Sequence, residues 1–430
     1  MSPTSRKLEP KSCRKTTRSV LLCGASVRSL AESAIAAGLR PLCVDFFEDE
    51  DLKKILGFGR GRFVGRIESF DQLPQRIHSV RKTIPLLWAG GLENHSDLLR
   101  EIGRLRSVIG PDPAIVDRLR DPWQLSRWLE GSIIGVPQLA SAGRADVACP
   151  WLRKSVASSG GLGVGVLSSG KVMDQTSPLR GEYLQEYIDG VPMSATFCAD
   201  DAGVHLFGIS LQLIGWPSLG ASGFLFCGNV GPVDPGPEVT QQVLDAARII
   251  VERSALKGVF GIDFILRQGH AWFLEVNPRI TASHMLYELQ RPGLVTHRHL
   301  QTLGWKSARV RRSLHTLPSH PLFTQSPVAA RMILWAREEL VVPKWFGADT
   351  SGAVHIADRP QPGSIVRRSS PLCSIIITAA DVSEIMQHLI VQENNPDADS
   401  HRTCRILSEL GYSMKSIGDQ LQLLLKKFGQ

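Results

Sequence analysis

The fold of this chain is decided by the stretch GVFGIDFILRQGHAWFLEVNPR, residues 258–279. Its two apolar runs, Val259 to Leu266 and Ala271 to Val276, are separated by Gln268-Gly269-His270. Runs of β-branched and aromatic residues on both sides of a short glycine-containing segment are typical of a β-hairpin. We therefore predict two antiparallel strands joined by a tight turn.

Three polar side chains of this hairpin are candidate metal ligands. Asp263 and Glu275 lie twelve residues apart across the turn, so strand pairing brings both carboxylates to the same end of one ladder. Asn277 lies on the same face as Glu275, because side chains alternate along a strand. Two carboxylates and an amide oxygen suit Mg²⁺ that also holds nucleotide phosphates. The alternative, a solvated hairpin face, would leave Asp263 uncompensated among apolar neighbours, which is costly.

Arg279 directly follows Pro278 and continues the two-residue spacing of Glu275 and Asn277. A guanidinium beside a metal and phosphates offers a bidentate fork to an acyl phosphate or to a tetrahedral oxyanion. A structural ion pair is the alternative role for this side chain. We predict that Arg279 takes part in catalysis.

A glycine-rich stretch follows a predicted strand, Trp151 to Lys154. Glycines let backbone N–H groups close over phosphate oxygens, and a lysine adds a point charge to the same anion. The stretch is not a Walker A loop, because no G-K-[ST] sequence opens a helix here. Taken alone, it is equally typical of an ordinary hairpin loop. The candidate phosphate-binding residues are Lys154, Ser158, Gly160, Gly161 and Gly163.

Residues 182–213 contain two predicted strands. The first lies in the segment YLQEYIDG, residues 183–190, which is an apolar strand that runs into an acidic turn. A connection of this kind between two lobes can present backbone amides to the edge of an adenine ring and a carboxylate to ribose hydroxyls. On its own, the pattern is that of an ordinary strand end.

Residues 19–115 alternate between predicted strands and helices. Ser19 to Cys23 and Pro41 to Val44 are short buried runs, and Ser29 to Ala37 between them is a predicted helix. This alternation is typical of a parallel sheet covered by helices. Only Gly24 is present where the fingerprint G-x-G-x-x-G needs three glycines, so NAD binding is not expected.

Two further polar features are ambiguous in the sequence. Asp45, at the end of the second strand, either contacts a ligand or begins the acidic loop Glu48-Asp49-Glu50-Asp51, and the two interpretations have equal weight. His297 and His299 have a spacing that could suit a metal. Because no third ligand lies nearby, we predict that both are helix-surface residues.

The chain has 430 residues and a formal net charge of +8, and six Lys or Arg lie within the first 18 residues. Most of the excess charge therefore belongs to one end, and nucleic acid is not an expected partner. Eight cysteines without a C-x-x-C pair indicate a reducing compartment. No run of about 20 apolar residues is present, so no membrane span is expected and the predicted location is cytoplasmic.

We predict four parts along the chain. Residues 1–18 form a basic disordered leader, residues 19–115 an open α/β lobe, residues 116–392 a nucleotide-binding domain, and residues 393–430 a helical tail. The third part divides into a small lobe with the glycine-rich loop, at about 140–190, and a large α+β lobe, at about 191–392. The apolar face of the terminal helix can pack on the chain itself or on a second copy, so a homodimer is a candidate assembly.

In this order, the segments resemble the ATP-grasp superfamily. The resemblance rests on Arg153-Lys154 with the loop from Gly160 to Gly165, on residues 185–190, and above all on GVFGIDF at 258–264 with FLEVNPR at 273–279. It covers about residues 19–390 and implies the ATP-grasp fold of mixed α/β and α+β class. That fold has an N-terminal open α/β lobe, a small glycine-loop lobe and a C-terminal α+β lobe.

The resemblance implies a role for each candidate residue. Lys154 with the loop would bind the phosphates of ATP, and Arg279 would steady an acyl phosphate. Two Mg²⁺ ions, with Mn²⁺ as a substitute, would be held by Asp263, Glu275 and Asn277. The adenine pocket would be lined by Gln185, Glu186, Tyr187 and Ile188.

Two positions depart from the superfamily pattern. Many members have a second phosphate-binding lysine before the helix that leads to the middle lobe, whereas the candidates here are Arg118 and Arg120. Arginine keeps the charge but not the geometry of lysine. Several relatives carry a ribose-binding glutamate where this chain has VPMS at 191–194, and Asp189 or Glu186 would substitute for it.

Within the superfamily, the chain looks most like predicted carboligases whose relatives include tyramine–glutamate ligase of methanofuran synthesis. The likeness rests on DFFED at 45–49, GGLEN at 90–94 and NPRITAS at 277–283. It implies a ligase of one-carbon coenzyme synthesis, of the methanofuran or tetrahydromethanopterin type. We expect ATP-dependent joining of a small-molecule carboxylate to an amine through an acyl phosphate. The alternatives are a carboxylase, a kinase-like phosphoryl transferase and a non-catalytic nucleotide-binding regulatory protein.

Overall fold

The computed structural model describes residues 15–141, 150–167, 181–307, 327–347, 352–390 and 398–429. Residues 1–14, most of the predicted leader, lie outside the described residues, as do residues 393–397 of the predicted helical tail. Three sheets of four or more strands organise the described residues into three lobes.

The N-terminal lobe is a parallel sheet covered by helices. The first six strands are β1 (Lys15–Thr17), β2 (Ser19–Cys23), β3 (Arg40–Asp45), β4 (Arg62–Arg66), β5 (Leu86–Trp88) and β6 (Val108–Ile109). The helices are α1 (Arg28–Ala36), α2 (Glu50–Leu56), α3 (Leu73–Arg76), α4 (Ser96–Leu105) and α5 (Pro113–Arg120). Strands β2 to β6 pair in the order β4-β3-β2-β5-β6, with β2 buried on both faces. The predicted strands and helix of this region are confirmed to within one or two residues.

The small lobe is a four-stranded antiparallel sheet in the order β7-β10-β8-β9. Its strands are β7 (Leu139–Ala140), β8 (Trp151–Ser155), β9 (Gly165–Leu167) and β10 (Glu182–Glu186). It is reached through α6 (Pro122–Leu129), which begins with a proline after an aspartate cap. The Asp121 carboxylate accepts the backbone N–H groups of Trp123 at 2.9 Å and Gln124 at 3.1 Å, which satisfies amides that a helix start leaves open.

The large lobe is an eight-stranded antiparallel sheet, ordered β15-β14-β11-β12-β13-β17-β21-β19. Its strands are β11 (Val191–Asp200), β12 (Gly203–Ile214), β13 (Phe226–Val233), β14 (Gly258–Arg267), β15 (His270–Asn277), β17 (Val328–Trp335), β19 (Val354–Ala357) and β21 (Pro371–Ala379). Three short strands lie outside it: β16 (Trp305–Ser307), β18 (Leu340–Val341) and β20 (Ile365–Val366). The helices are α7 (Pro237–Ser254), α8 (His284–Glu288), α9 (Leu294–Thr302), α10 (Val382–Ile390), α11 (Ala398–Glu409) and α12 (Met414–Phe428).

The predicted hairpin is β14 and β15, and the region before it contains one strand more than predicted. Residues 182–213 were expected to form two strands, but they contain β10, β11 and most of β12. The extra break lies between β11 and β12, where the Asp200 side chain accepts the N–H of Ala202 at 2.8 Å and so closes a turn. An aspartate that bonds the backbone two residues on is a common turn device.

Both ends of the chain differ from the predicted division into parts. The leader was predicted to be disordered to residue 18, but β1 pairs in parallel with β16, and Thr17 is buried. The expected single terminal helix is two helices, α11 and α12, and they are not a separate tail. Ile417 and Leu421 of α12 are fully buried in the core of the large lobe, because the apolar face of the helix packs mainly on α10. Among the described residues, no helix is both long and apolar enough to cross a membrane.

His297 and His299 were predicted to lie on a helix surface, and this prediction is wrong. Both side chains are buried, because α9 packs against α1 on one side and against β14 on another. The Nδ1 atom of His299 accepts the backbone N–H of Val259 at 2.9 Å. Burial lowers the pKa of His299 to about 4, so this histidine is neutral and structural.

Asp45 is fully buried at the carboxyl end of β3 and organises the loop that follows. Its carboxylate accepts the backbone N–H groups of Glu48 at 2.9 Å, Phe47 at 3.3 Å and Val27 at 3.4 Å. Of the two interpretations of Asp45, these contacts favour the loop role. Burial raises the pKa of Asp45 to about 6, although the N–H donors oppose this shift.

We expect Asp45→Asn to change how stability depends on pH. The pKa of Asp45 is about 6 when folded against 3.8 in a model peptide, so the folded chain binds the proton more tightly. The contribution is therefore full below about pH 4 and is lost as pH rises through 6. The free energy of unfolding of the wild type should fall by about 2 kcal/mol relative to the variant between pH 4 and 8. Urea unfolding over this range measures the difference, and parallel curves would contradict the assignment.

Candidate active site

The hairpin brings the three predicted metal ligands together. Asp263 on β14 lies directly opposite Glu275 on β15, and Gly261 lies opposite Asn277. The register shifts after Asp263, which leaves Leu274 as an extra residue, so that both Leu274 and Glu275 line one cavity. The Nδ2 of Asn277 donates to Oδ2 of Asp263 at 2.9 Å. A β-bulge of this kind commonly re-aims side chains near a site.

The carboxylates of Asp263 and Glu275 influence each other's charge. Burial and the neighbouring charge of Glu275 raise the pKa of Asp263 to about 7, although hydrogen bonds from Ser194 and Asn277 oppose the shift. Gln212 on β12 also donates its Nε2 to Oδ1 of Asp263 at 3.0 Å. Two negative charges on facing residues repel, so Asp263 and Glu275 do not ionise independently. A divalent cation bound between them would offset this repulsion.

The chemistry of the donors fits magnesium that is shared with a nucleotide. No group of three or more His, Cys, Asp or Glu that could hold a metal is present in the described part of the chain. The set formed by Asp263, Glu275 and Asn277 has two carboxylates and one amide. Mg²⁺ is usually held by one or two carboxylates together with substrate phosphates, and it does not need a cage made only of protein.

Lys154 on β8 extends into the same cavity. Its Nζ donates to Oε1 of Gln185 on β10 at 3.1 Å and lies 6.0 Å from the ring centre of Tyr183. Burial lowers the pKa of Lys154, but Tyr183 and the carboxylates of Glu275 and Asp263 outweigh burial, so the pKa is raised above its usual value. The lysine is therefore a fixed positive charge that faces the candidate metal ligands.

The glycine-rich loop is docked on the large lobe. The N–H of Phe226 donates to the carbonyl of Gly160 at 3.0 Å, and a Cβ at Gly161 would collide with the carbonyl oxygen of Phe224. Gly161 also has φ +75°, a conformation that favours glycine. Gly160 and Gly161 line the cavity, whereas Gly163 and Ser158 are outside its lining. Only part of the predicted phosphate-binding set therefore reaches the cavity.

The predicted adenine segment forms one wall of the cavity. Its lining includes Gln185, Glu186, Tyr187, Ile188 and Asp189. Of the two candidate ribose ligands, Glu186 accepts the backbone N–H of Gln138 at 3.0 Å, and Asp189 pairs with Nζ of Lys427 at 2.8 Å. Lys427, near the end of α12, lines the cavity as well, and sequence analysis did not find it.

Arg118 and Arg120, the two candidates for the missing lysine, occupy different places. Arg120 donates through Nη2 to the carbonyls of Val156 at 2.7 Å and Ser158 at 2.8 Å and to Asn94 Oδ1 at 3.0 Å. It lies 4.0 Å from Glu275 but is outside the cavity lining. Arg118 instead donates to the carbonyl of Ser254 on α7. Arg120 therefore holds the base of the glycine loop, and Arg118 has no contact with it among the described residues.

Arg279 joins the cavity to the N-terminal lobe. Its Nε and Nη2 lie 2.8 and 2.7 Å from Oε1 of Glu93, whose side chain is fully buried. The other oxygen of Glu93 accepts the N–H of Gly91 at 2.6 Å. Burial raises the pKa of Glu93, but the charge of Arg279 outweighs burial, so the pKa is lowered. Arg279 both lines the cavity, 3.3 Å from Asn277 Oδ1, and forms the buried ion pair named as its alternative role.

The cavity has a volume of about 520 Å³ and contains polar residues that sequence analysis missed. Gln212 and Asn229 lie within long apolar strands, so the strand pattern hid them. Their positions are nevertheless informative, since a buried polar group in such a strand needs a partner. A search for polar residues on the strands expected to flank the hairpin would have found them. The missed lining residues include Ser194, Gln212, Asn229, Thr281, Ser283 and Lys427.

Comparison with known proteins matches this geometry to one domain type. A family model described as an ATP-grasp domain matches residues 119–283, which include the glycine loop, β10 and the hairpin. An uncharacterized protein of Methanocaldococcus jannaschii is 23% identical over 192 residues, which are 45% of this chain and 41% of that protein. The match thus spans less than half the length of this curated relative.

Solved structures agree over most of the chain. Biotin carboxylase from Campylobacter jejuni, in a β,γ-ATP complex, has a TM-score of 0.60 and 14% identity over 86% of this chain and 90% of that chain. N5-carboxyaminoimidazole ribonucleotide synthetase from Thermotoga maritima has a TM-score of 0.56 and 13% identity over 86% of this chain and 96% of that chain. The biotin carboxylase domain of 2-oxoglutarate carboxylase from Hydrogenobacter thermophilus, with MgADP and bicarbonate, has a TM-score of 0.60 and 13% identity over 86% of this chain and 89% of that chain.

The chain has the ATP-grasp fold. The fold class that the hairpin and the glycine loop predicted is confirmed. The small lobe supplies Lys154 to the cavity and the large lobe supplies the hairpin. The N-terminal lobe does not line the cavity, but its Glu93 holds Arg279, which does. At 13 or 14% identity the likeness extends to the ATP-grasp fold and not to a substrate.

We expect Glu93→Ala to destabilise the protein strongly, because it leaves the buried Arg279 without its partner. The free energy of unfolding should fall by about 3 to 5 kcal/mol. The double variant with Arg279→Met should recover much of this loss, since it removes the unpaired charge. Asp97→Ala is the matched control, because Asp97 is highly exposed and pairs only at the surface, where about 0 to 1 kcal/mol is expected. An equal decrease in the free energy of unfolding for Glu93→Ala and Asp97→Ala would exclude a stabilising role for the buried ion pair.

Proposed function

We propose that this protein is an ATP-dependent ligase that joins a small-molecule carboxylate to an amine. One observation carries the proposal: Asp263, Glu275 and Asn277 converge on a cavity that Lys154 and the 185–189 segment also line. Two carboxylates, a fixed lysine and a glycine loop are a suitable environment for a triphosphate with its metal. ATP and Mg²⁺ are the proposed co-substrate and cofactor, with two ions expected and Mn²⁺ as a substitute.

In the proposed complex, adenine lies along Gln185 to Ile188, with its ribose toward Asp189. The triphosphate extends beneath the glycine loop toward Lys154, which provides a positive charge for it. Asp263, Glu275 and Asn277 would hold the metal ions. Ser158, Gly163 and Arg120 would act indirectly, because they build and anchor the loop and do not line the cavity.

The proposed reaction has two steps. A carboxylate oxygen of the substrate attacks the γ-phosphorus of ATP in line, and the bond to the β,γ-bridging oxygen breaks, which releases ADP. The nitrogen of the amine then attacks the carbonyl carbon of the acyl phosphate, phosphate leaves, and the nitrogen loses a proton. Bound Mg²⁺ supplies charge neutralisation at the phosphate oxygens. Arg279, held by Glu93, offers a donor to the oxyanion that develops on the same carbon.

Positioning and electrostatics account for this chemistry without a protein nucleophile. Lys154, Arg279 and the loop amides surround the region where negative charge develops. In such a site, orientation and fixed charges supply most of the rate enhancement. Carboxylation and phosphoryl transfer to a hydroxyl use the same first step, so the acceptor defines the reaction. The sequence resemblance to the tyramine–glutamate ligase branch favours an amine, in a cytoplasmic pathway of one-carbon coenzyme synthesis.

We expect ADP release that requires a carboxylate and an amine together. Screening amino acids and amines by phosphate release, with mass spectrometry of the product, measures this directly. Asp263→Asn and Glu275→Gln should each lower turnover at least about 100-fold, because each removes a metal ligand. Asp245→Asn, the same charge change on a partly exposed residue of α7 outside the cavity lining, is the control. Full activity in either hairpin variant would remove the metal assignment, and ATP-dependent stabilisation without any product would indicate a regulatory protein.

We expect Arg120→Lys to weaken nucleotide binding, because lysine keeps the charge but not the planar geometry with which Arg120 reaches the carbonyls of Val156 and Ser158 and Oδ1 of Asn94. The KM for ATP should rise about 10-fold, with a smaller change in kcat. Arg118→Lys is the matched control, since Arg118 contacts Ser254 and not the loop. Steady-state kinetics at varied ATP concentration separates the two variants, and an equal KM in both would show that Arg120 does not order the loop.

A further inference from the structure

The five parallel strands β2 to β6 of the N-terminal lobe begin along one edge of their sheet, and Asp45 and Glu93 follow strands at the opposite edge. We call the first of these the amino edge, and it consists of the chain segments at the strand starts. These segments are residues 15–18, 38–42, 57–62, 78–85 and 103–107.

The amino edge is strongly basic. Its segments contain no Asp or Glu. All of their Lys and Arg side chains except that of Arg106 are exposed, and among the described residues none of the exposed ones pairs with a carboxylate. The exposed cations are Lys15, Arg18, Arg40, Arg60, Arg62, Arg81, Lys82 and Arg104.

The acidic side chains of the lobe lie elsewhere. Those in residues 45–51, Glu68, Glu93 and Asp112 follow the carboxyl ends of strands. The exposed acid that comes closest to the amino edge along the chain is Glu101 of α4. The charge of the lobe is therefore separated, with positive charge at one edge of the sheet and negative charge at the other.

Three of the exposed arginines lie on neighbouring strands. The backbone N–H of Arg40 donates to the carbonyl of Arg18 at 2.9 Å. Arg62 is paired with Leu42, two residues after Arg40 and on the same face of β3. Strands in a sheet are about 4.8 Å apart, so these charges repel when no anion lies against them. Cations are common at helix C-termini, but Arg40 and Arg62 are the first residues of strands, so a helix dipole does not account for them.

A buried arginine builds the loop between α3 and β5. The guanidinium of Arg106 donates to the carbonyls of four residues between 77 and 84, at 3.0 to 3.4 Å. While these carbonyls are held inward, the side chains of Arg81 and Lys82 are exposed. An ordered loop therefore presents the cations of this segment.

Both large apolar side chains that the described part of the N-terminal lobe exposes lie on the same edge. Phe58 is 94% exposed and Leu105 is 51% exposed. Phe58 has φ +54°, a left-handed conformation that is strained for a bulky residue, and its ring lies 5.8 Å from the guanidinium of Arg60. Strain in an exposed side chain that no core packing requires indicates a function.

We propose that the amino edge docks on an anionic lipid surface, with its cations against headgroup phosphates and with Phe58 and Leu105 inserted between the headgroups. Phe58 precedes β4 and Leu105 precedes β6, which are about 19 Å apart across the sheet, with the arginines of β2 and β3 between them. Cations combined with exposed apolar side chains are typical of proteins that lie on an anionic bilayer without a spanning helix.

Other occupants fit the amino edge less well. Nucleic acid would pair with the cations and could stack on Phe58, but Leu105 cannot take part in stacking. A second copy docked through the same edge would bring cations against cations. The proposal is independent of the ligase function, because the amino edge lies at the opposite end of the sheet from Glu93, the contact of this lobe to the nucleotide cavity.

The test is co-sedimentation of the full chain with phosphatidylcholine vesicles that contain or lack phosphatidylglycerol. The chain should sediment with the anionic vesicles and not with the neutral ones. The triple variant Arg18→Gln, Arg40→Gln and Arg62→Gln should partition at least about 10-fold more weakly, since each cation near an anionic surface contributes a factor of about 5. Phe58→Ser should weaken partitioning about 10-fold, because it removes an apolar anchor without a change of charge.

Each variant has a matched control. Arg253→Gln, Arg267→Gln and Arg368→Gln together remove the same charge from exposed arginines of the large lobe, and Ile133→Ser removes an exposed apolar side chain outside the amino edge. Both controls should partition like the wild type, and unchanged thermal unfolding shows that every variant is folded.

Four results would overturn the proposal. They are failure to sediment with anionic vesicles, an equal loss in the two triple variants, which would assign binding to overall charge or to the basic leader, and unchanged partitioning of Phe58→Ser. The fourth is binding of labelled oligonucleotides, by fluorescence anisotropy, that the edge variant loses while the wild type ignores vesicles, which would make nucleic acid the partner.

Discussion

Two carboxylates face each other across β14 and β15, where Asp263 is paired with Glu275. A shift of this register by one residue would move every side chain of one strand to the opposite face of the sheet. The apolar neighbours of Asp263 prevent such a slip, because Phe260, Ile262 and Phe264 are fully buried in the core of the large lobe. Packing of the sheet therefore holds together two negative charges that repel. Because packing sets the spacing of the donors, the geometry of the site is preorganised.

The same hairpin also fixes how the lobes meet. Arg279 directly follows it, and the buried pair with Glu93 attaches the N-terminal lobe to the strand that carries Glu275 and Asn277. A second attachment is made by Arg28 of α1, which reaches Asp358 beyond β19. Buried pairs of this kind contribute little net stability compared with apolar packing, but they penalise any arrangement that separates the partners. Their effect is to define the orientation of the lobes.

Much of the fold could be predicted because its elements have strong local patterns. The hairpin, the parallel strands of the first lobe and helix α7 follow the periodicity expected for their type, and the polar ligands of the hairpin stand out within apolar runs. Contacts between elements distant in sequence could not be predicted in this way. Glu93 and Gln212 gain their roles only when the chain is folded. His299 was misjudged for the same reason, since a helix covered on several sides has no apolar stripe that distinguishes it.

The hydrogen bond between Gly160 and Phe226 affects how a ligand can enter and leave the cavity. The glycine loop is tied to the large lobe, and it cannot lift while that bond and the close approach of Gly161 to Phe224 persist. In the proposed ligase, a movement of the small lobe that lifts the loop would have to break both contacts. Hinge movements of this type take microseconds to milliseconds, so a nucleotide beneath the loop could exchange no faster than this.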